Sequence, residues 1–118
     1  MNENAKIISL ETSGTVCSVA LSEGAAIIVN YTLDGKNLHD KLASELIRRA
    51  LADSGTNIEE IDAAAVSAGP GSFTGLRIGA GIAKGICYED KPQLIAIPTL
   101  NAIAFAASEY ARNFNFSE

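Results

Sequence analysis

This chain has little histidine or cysteine to build a site from. Among 118 residues there is one histidine, His39, and two cysteines, Cys17 and Cys87, seventy positions apart and in no C-x-x-C pair. That excludes a zinc-ligand set, and a lone histidine leaves a Ser-His-Asp triad without its parts. Basic charge is also scarce. Nine Lys and Arg against fourteen Asp and Glu give a net charge of −5, a poor balance for gripping a phosphate backbone unaided. No apolar run nears the roughly 20 residues of a membrane span. The opening "MNENAKIISLE" lacks the charged-then-apolar pattern of a signal peptide. Internal repeats and low-complexity stretches are missing too. A cytoplasmic protein with both thiols reduced, without metal or membrane partner, is the expectation.

Apolar residues, by contrast, are plentiful at 47%, with only 19% charged, which fits one globular domain. Lys6 to Glu11 reads as a short buried strand, Val16 to Leu21 as a second and Ala25 to Leu33 as a third, joined by tight turns at Gly14 and Gly24. Leu38 to Ser54 carries leucine, isoleucine and alanine at helical spacing, and Gly55 stands where a C-terminal cap belongs. "AAAVSA" from Ala63 is a strand buried on both faces. A glycine-rich loop and a second helix follow, then a strand over Leu94 to Ile97 and a third helix from Pro98-Thr99 to about Tyr110. The order βββαβαβα predicts an α/β mixed sheet with helices on its faces. That is the ribonuclease H-like layout, also half of an actin, Hsp70 or sugar-kinase type protein. The domain is expected to span residues 1–112, with 113–118 as a loose tail.

"SAGPGSFTGLRIGAGIAKGICY", Ser67 to Tyr88, concentrates the unusual chemistry. A dinucleotide fingerprint fails because Thr74 stands where the third glycine belongs. A phosphate-binding P-loop fails on spacing and lacks its lysine, and the nucleophile elbow G-x-S-x-G is missed around Ser72. Ser72 or Thr74 can instead cap the helix, and the amides at that end could hold an anion. Beyond the loop, Gly75, Gly79, Gly81 and Gly85 weaken the helix by about 1 kcal/mol each relative to alanine. Roughly two-thirds of its circumference is apolar or bare, more than one sheet face covers. The helix is therefore expected to pack on two sides, with Gly75, Gly79 and Ala83 letting another backbone come close. One side meets the sheet; the other meets the first helix or a second chain.

"IISLETSGTVCSVAL", "VSAGPGSFTGLRIGAGIAKGI" and "LIAIPTL" together resemble the N-terminal domain of the TsaB (YeaZ) family over residues 6 to 108. The resemblance implies a ribonuclease H-like fold of the actin/Hsp70/sugar-kinase superfamily, with a second such domain that this chain lacks. It implies no catalysis and no cofactor. The partner is a TsaD-type subunit, which transfers threonylcarbamoyl from its AMP adduct to the adenosine beside the tRNA anticodon. The ATPase TsaE joins the complex, tRNA is met only through it, and TsaB alone forms a homodimer through the same surface. That surface lies on the first two helices: His39, Leu42, Leu46 and Arg49 from one, Leu76, Arg77, Gly79, Ala80, Ala83 and Lys84 from the other. On this reading Gly79→Arg yields a monomer that does not bind TsaD. Glu11, Thr12 and Ser13 match the end of the first strand, where active superfamily members hold metal-nucleotide. With Gly71 and Ser72 they are the candidate anion or nucleotide contacts. They carry the alternative function, the nucleotide-binding half of an ATP-dependent small-molecule kinase. The catalytic sister's H-x-x-x-H metal pair is missing, His39 being the lone histidine.

Overall fold

The computed structural model describes residues 4–88 and 92–113. Five strands form one sheet in the order β3-β2-β1-β4-β5. β1 (Lys6–Glu11), β2 (Val16–Glu23) and β3 (Ala26–Asp34) make the antiparallel meander, with an irregularity at Leu21/Ser22. β4 (Ala63–Ser67) runs parallel to β1, and β5 (Gln93–Ile97) parallel to β4. α1 (Asp40–Ser54) joins β3 to β4, α2 (Phe73–Ile86) joins β4 to β5, and α3 (Thr99–Asn113) follows β5. This is the expected βββαβαβα order.

The α1 and α2 face of the sheet holds the core. Ile8 and Leu10 of β1, Cys17, Val19 and Leu21 of β2, and Ala64 and Val66 of β4 meet Leu46, Ile47 and Ala50 of α1 and Ala83 of α2. Alternation on β2 sends every second residue to this face. β4 is buried along its whole length because it is central, between parallel β1 and β5, with α2 on one face and α3 following on the other. On the other face α3 begins at buried Thr99, whose N–H donates to the Gly69 carbonyl at 2.8 Å. Further along, Leu100, Ile103 and Phe105 are exposed.

Helix ends follow local chemistry. His39 caps α1, its Nδ1 accepting from the Leu42 N–H at 3.2 Å, so the helix opens at Asp40 and not at Leu38. Gly55 ends it with a left-handed φ of 66°, as the capping position predicts. Ser72 caps α2 by accepting from the Gly75 N–H at 3.2 Å, so this helix starts at Phe73, two residues before the expected glycine. α3 runs to Asn113, past the expected end near Tyr110, while the rest of the anticipated tail, 114–118, lies outside the described residues. Both cysteines are free thiols. No helix among the described residues is long and apolar enough to cross a membrane.

Candidate functional site

The end of β1 and the glycine loop are drawn together by backbone contact. The Ser72 N–H donates to the Ser13 carbonyl at 2.7 Å, and a Cβ on Gly71 would lie 2.5 Å from that of Ser13. Glu11 sits beside them. Its carboxylate accepts from the Ser13 N–H at 2.8 Å and from the Ser13 and Ser67 hydroxyls. Burial pushes the Glu11 carboxyl up, but these three donors more than offset it and hold it below its ordinary value. Of this group Glu11 and Ser67 line a cleft of about 240 Å³ on the α3 side of the sheet, with Ser9, Ser18, Ala20 and Ala102 among its other walls; Ser13, Gly71 and Ser72 do not line it. The five sequence-derived contacts, Glu11, Thr12, Ser13, Gly71 and Ser72, therefore cluster at one place. Their donors are largely committed, however: the Ser72 amide to the Ser13 carbonyl, the Ser13 amide and hydroxyl to Glu11, and the Thr12 hydroxyl to the Gly75 carbonyl. A fixed carboxylate beside them opposes an anion. Ser67 was not singled out from the sequence; its only signal was a polar residue closing an otherwise apolar strand.

Thr12 turns inward and explains part of the glycine pattern. Its hydroxyl donates to the Gly75 carbonyl at 2.7 Å. A Cβ on Gly75 would lie 1.9 Å from the Thr12 carbonyl oxygen, and one on Gly79 would lie 2.4 Å from Thr12 Oγ1. The Gly75–Gly79 stripe thus lets the chain's own β1 end approach α2, where the sequence suggested a neighbouring chain as well. A side chain at Gly79 strikes the core, so Gly79→Arg tests folding and not docking. Gly81 and Gly85 differ: a Cβ at either meets nothing within 4 Å among the described residues.

The ten residues assigned to a partner surface divide among several environments. Leu46, Gly79 and Ala83 are buried in the chain's own core and offer a partner no surface. Asp53 of α1 accepts from the Tyr31 hydroxyl of β3, and Arg49 and Leu42, four and eleven residues before it, share that side of the helix. Leu76, Ala80 and Lys84 line a cleft between α2 and β5. His39 is exposed at the α1 cap, and Arg77 borders both this cleft and a smaller one of about 260 Å³. That smaller cleft, bounded by Asp40 of α1 with Thr74, Ile78 and Gly81 of α2, marks the seam where the two helices meet solvent together. The helical wheel alone did not separate these sides, because only packing fixes which of two apolar stripes faces the sheet.

Residues 28–116 match the family model described as "TsaD: tRNA N6-adenosine threonylcarbamoyltransferase". The tRNA threonylcarbamoyladenosine biosynthesis protein TsaB of Haemophilus influenzae is 40% identical over 108 residues, which is 91% of this chain and 45% of that protein. Its Escherichia coli counterpart is 34% identical over 102 residues, 86% of this chain and 44% of that protein. The solved structure of YeaZ from Pseudomonas aeruginosa superposes with a TM-score of 0.73 at 29% identity, covering 80% of this chain and 44% of that one. The chain thus spans about half the length of the relatives it matches. With the ribonuclease H-like strand order and the Gly69–Gly75 loop in place, these matches establish that the chain belongs to the TsaB (YeaZ) family.

Proposed function

We propose that this chain forms one ribonuclease H-like unit of a subunit in tRNA threonylcarbamoyladenosine biosynthesis, and that the unit works by docking and not by chemistry of its own. The seam of α1 and α2 would receive a TsaD-type threonylcarbamoyltransferase subunit, or a second copy of the chain when that subunit is missing. TsaE would join the assembly, and tRNA would be reached only through it. The observation that carries this reading is the pair Gly81 and Gly85. Gly75 and Gly79 are accounted for by the close approach of Thr12, but among the described residues nothing lies within 4 Å of where a Cβ on Gly81 or Gly85 would stand. Each weakens the helix by about 1 kcal/mol relative to alanine. Bare backbone on an outer helix face is what a second helix needs in order to lie close against it. Half-buried Ile78 beside Gly81 supplies apolar contact at the same place.

Co-purification with a TsaD-type subunit tests the proposal. Unmodified chain should capture the subunit, and Gly81→Arg with Gly85→Arg should abolish capture while the circular dichroism spectrum stays native. Capture that survives both substitutions would refute docking at this seam. Light scattering of the chain alone should show a dimer that the same pair of substitutions converts to monomer.

A further inference from the structure

On the other side of α2 lies a second apolar groove with a different character. It holds about 420 Å³ between α2 and β5. Leu76 and Ala80 form one wall, Leu94 and Ala96 the other, and exposed Phe73 stands at one end. Its rim carries Arg77 and Lys84. No carboxylate of the described residues lines it, and neither cation belongs to an ion pair among those residues. The Arg77 guanidinium instead rests 5.9 Å from the centroid of the Phe73 ring. In a chain of net charge −5, two cations with no ion-pair partner among the described residues, set over an apolar floor, form a local exception.

β5 adds a second feature, since it is the last strand of the sheet and no other strand of the described residues pairs with its outer edge. The Gln93 N–H donates to Asp62 and the Ile97 carbonyl accepts from Ala68, both on the β4 side. Parallel pairing alternates direction along a strand, so the backbone groups of Leu94 and Ala96 point outward. Such an edge accepts an added strand through main-chain bonds, with side-chain pockets setting specificity.

We propose that this edge and groove bind an extended acidic peptide segment of another protein as a sixth strand. An apolar side chain would enter the groove, and two carboxylates would meet Arg77 and Lys84. The two cations are seven helical residues apart, about 10 Å along the axis. Carboxylates at i and i+4 on one face of a strand are about 13 Å apart, within reach of these long side chains, with the apolar residue at i+2 between them. A second copy of the chain fits poorly. Antiparallel pairing of two β5 edges sets both α2 helices on the same side of the joined sheet and brings cation against cation. The groove and the α1/α2 seam lie on different sides of α2 and have only Arg77 in common, so the Gly81 and Gly85 substitutions test the seam without touching the groove and failure at one leaves the other standing.

Fluorescence anisotropy at low ionic strength tests the assignment. The probe is a labelled peptide, Gly-Glu-Thr-Val-Thr-Glu-Gly, compared with the same peptide carrying lysine for glutamate. The chain should bind the acidic probe about tenfold more tightly or better, Arg77→Glu with Lys84→Glu should reverse that preference, and N-methylation of the probe's valine and threonine amides, which between them serve antiparallel and parallel addition, should abolish binding. Equal binding of both probes, no binding of either, a preference that survives charge reversal, or indifference to N-methylation each overturns the proposal. So does a dimer of the chain that excludes the probe, which would make a second copy the occupant.

Discussion

Replacing Gly79 and Gly81 by alanine, one at a time, separates glycines that serve the fold from glycines that leave the surface bare. Both lie inside α2, so both substitutions gain about 1 kcal/mol of helix propensity. At Gly81 that is the whole effect, because the new Cβ meets nothing within 4 Å. At Gly79 the Cβ would lie 2.4 Å from Thr12 Oγ1 and 3.1 Å from Val66 Cγ2. Overpacking of this kind costs about 1–3 kcal/mol. The Thr12 hydroxyl is buried, and moving it off the Gly75 carbonyl adds about 1–3 kcal/mol. After the propensity gain, Gly79→Ala should destabilise by about 1–5 kcal/mol, while Gly81→Ala stabilises by about 1 kcal/mol. For a domain near this size 1 kcal/mol moves Tm by about 4 °C. Thermal melts should therefore place Gly81→Ala about 4 °C above the parent and Gly79→Ala about 4 to 20 °C below it. A double-mutant cycle with Thr12→Ala should recover most of the Gly79→Ala loss, since the clashing oxygen is gone. A Gly79→Ala protein as stable as Gly81→Ala would refute the account of Thr12 wedged against α2.

Ser72→Ala should lower stability by about 1 kcal/mol, read as a shift of the urea midpoint at unchanged slope, because it removes the oxygen that accepts from the Gly75 N–H. Glu11 gives a pH test. Its carboxyl is held below the ordinary value of 4.5 in the folded chain, so its contribution is complete above that value and is lost as pH falls through the lower folded pKa. The stability difference between parent and Glu11→Gln should be constant near neutrality and shrink below about pH 4.5. A difference that stays flat into acid would show that the Ser13 and Ser67 hydrogen bonds do not favour the charged form.

Element order and type were legible because periodicity reports them directly. The alternation in "VCSVAL", the helical spacing from Leu38 to Ser54 and the all-small strand at Ala63 each became the expected element. The caps Gly55 and Ser72 were legible as well, being local side-chain and φ effects. Ends were less so: α2 opens at Phe73 because the Ser72 hydroxyl fixes its start, and propensity places no such boundary.

The candidate site divides along the same line. Sequence alone determined that the Gly75–Tyr88 stretch is a helix too thin and too apolar for one covering face, and that the motif around it belongs to one family. It could not decide what each glycine is for. Gly75 and Gly79 are matched to Thr12, 63 positions away from Gly75, and Gly81 and Gly85 to nothing among the described residues, although all four look alike on a wheel. Likewise Leu42 and Arg49 share a helix with Leu46 yet lie on the side that Asp53 anchors to Tyr31 of β3, and Ser67 joins Glu11 across 56 residues. The physical reason is range. Periodicity and capping are set by neighbours within a turn or two, while the rotation of a helix on its sheet is set by contacts between segments far apart in the chain, and those exist only once β1, β4 and α2 have packed.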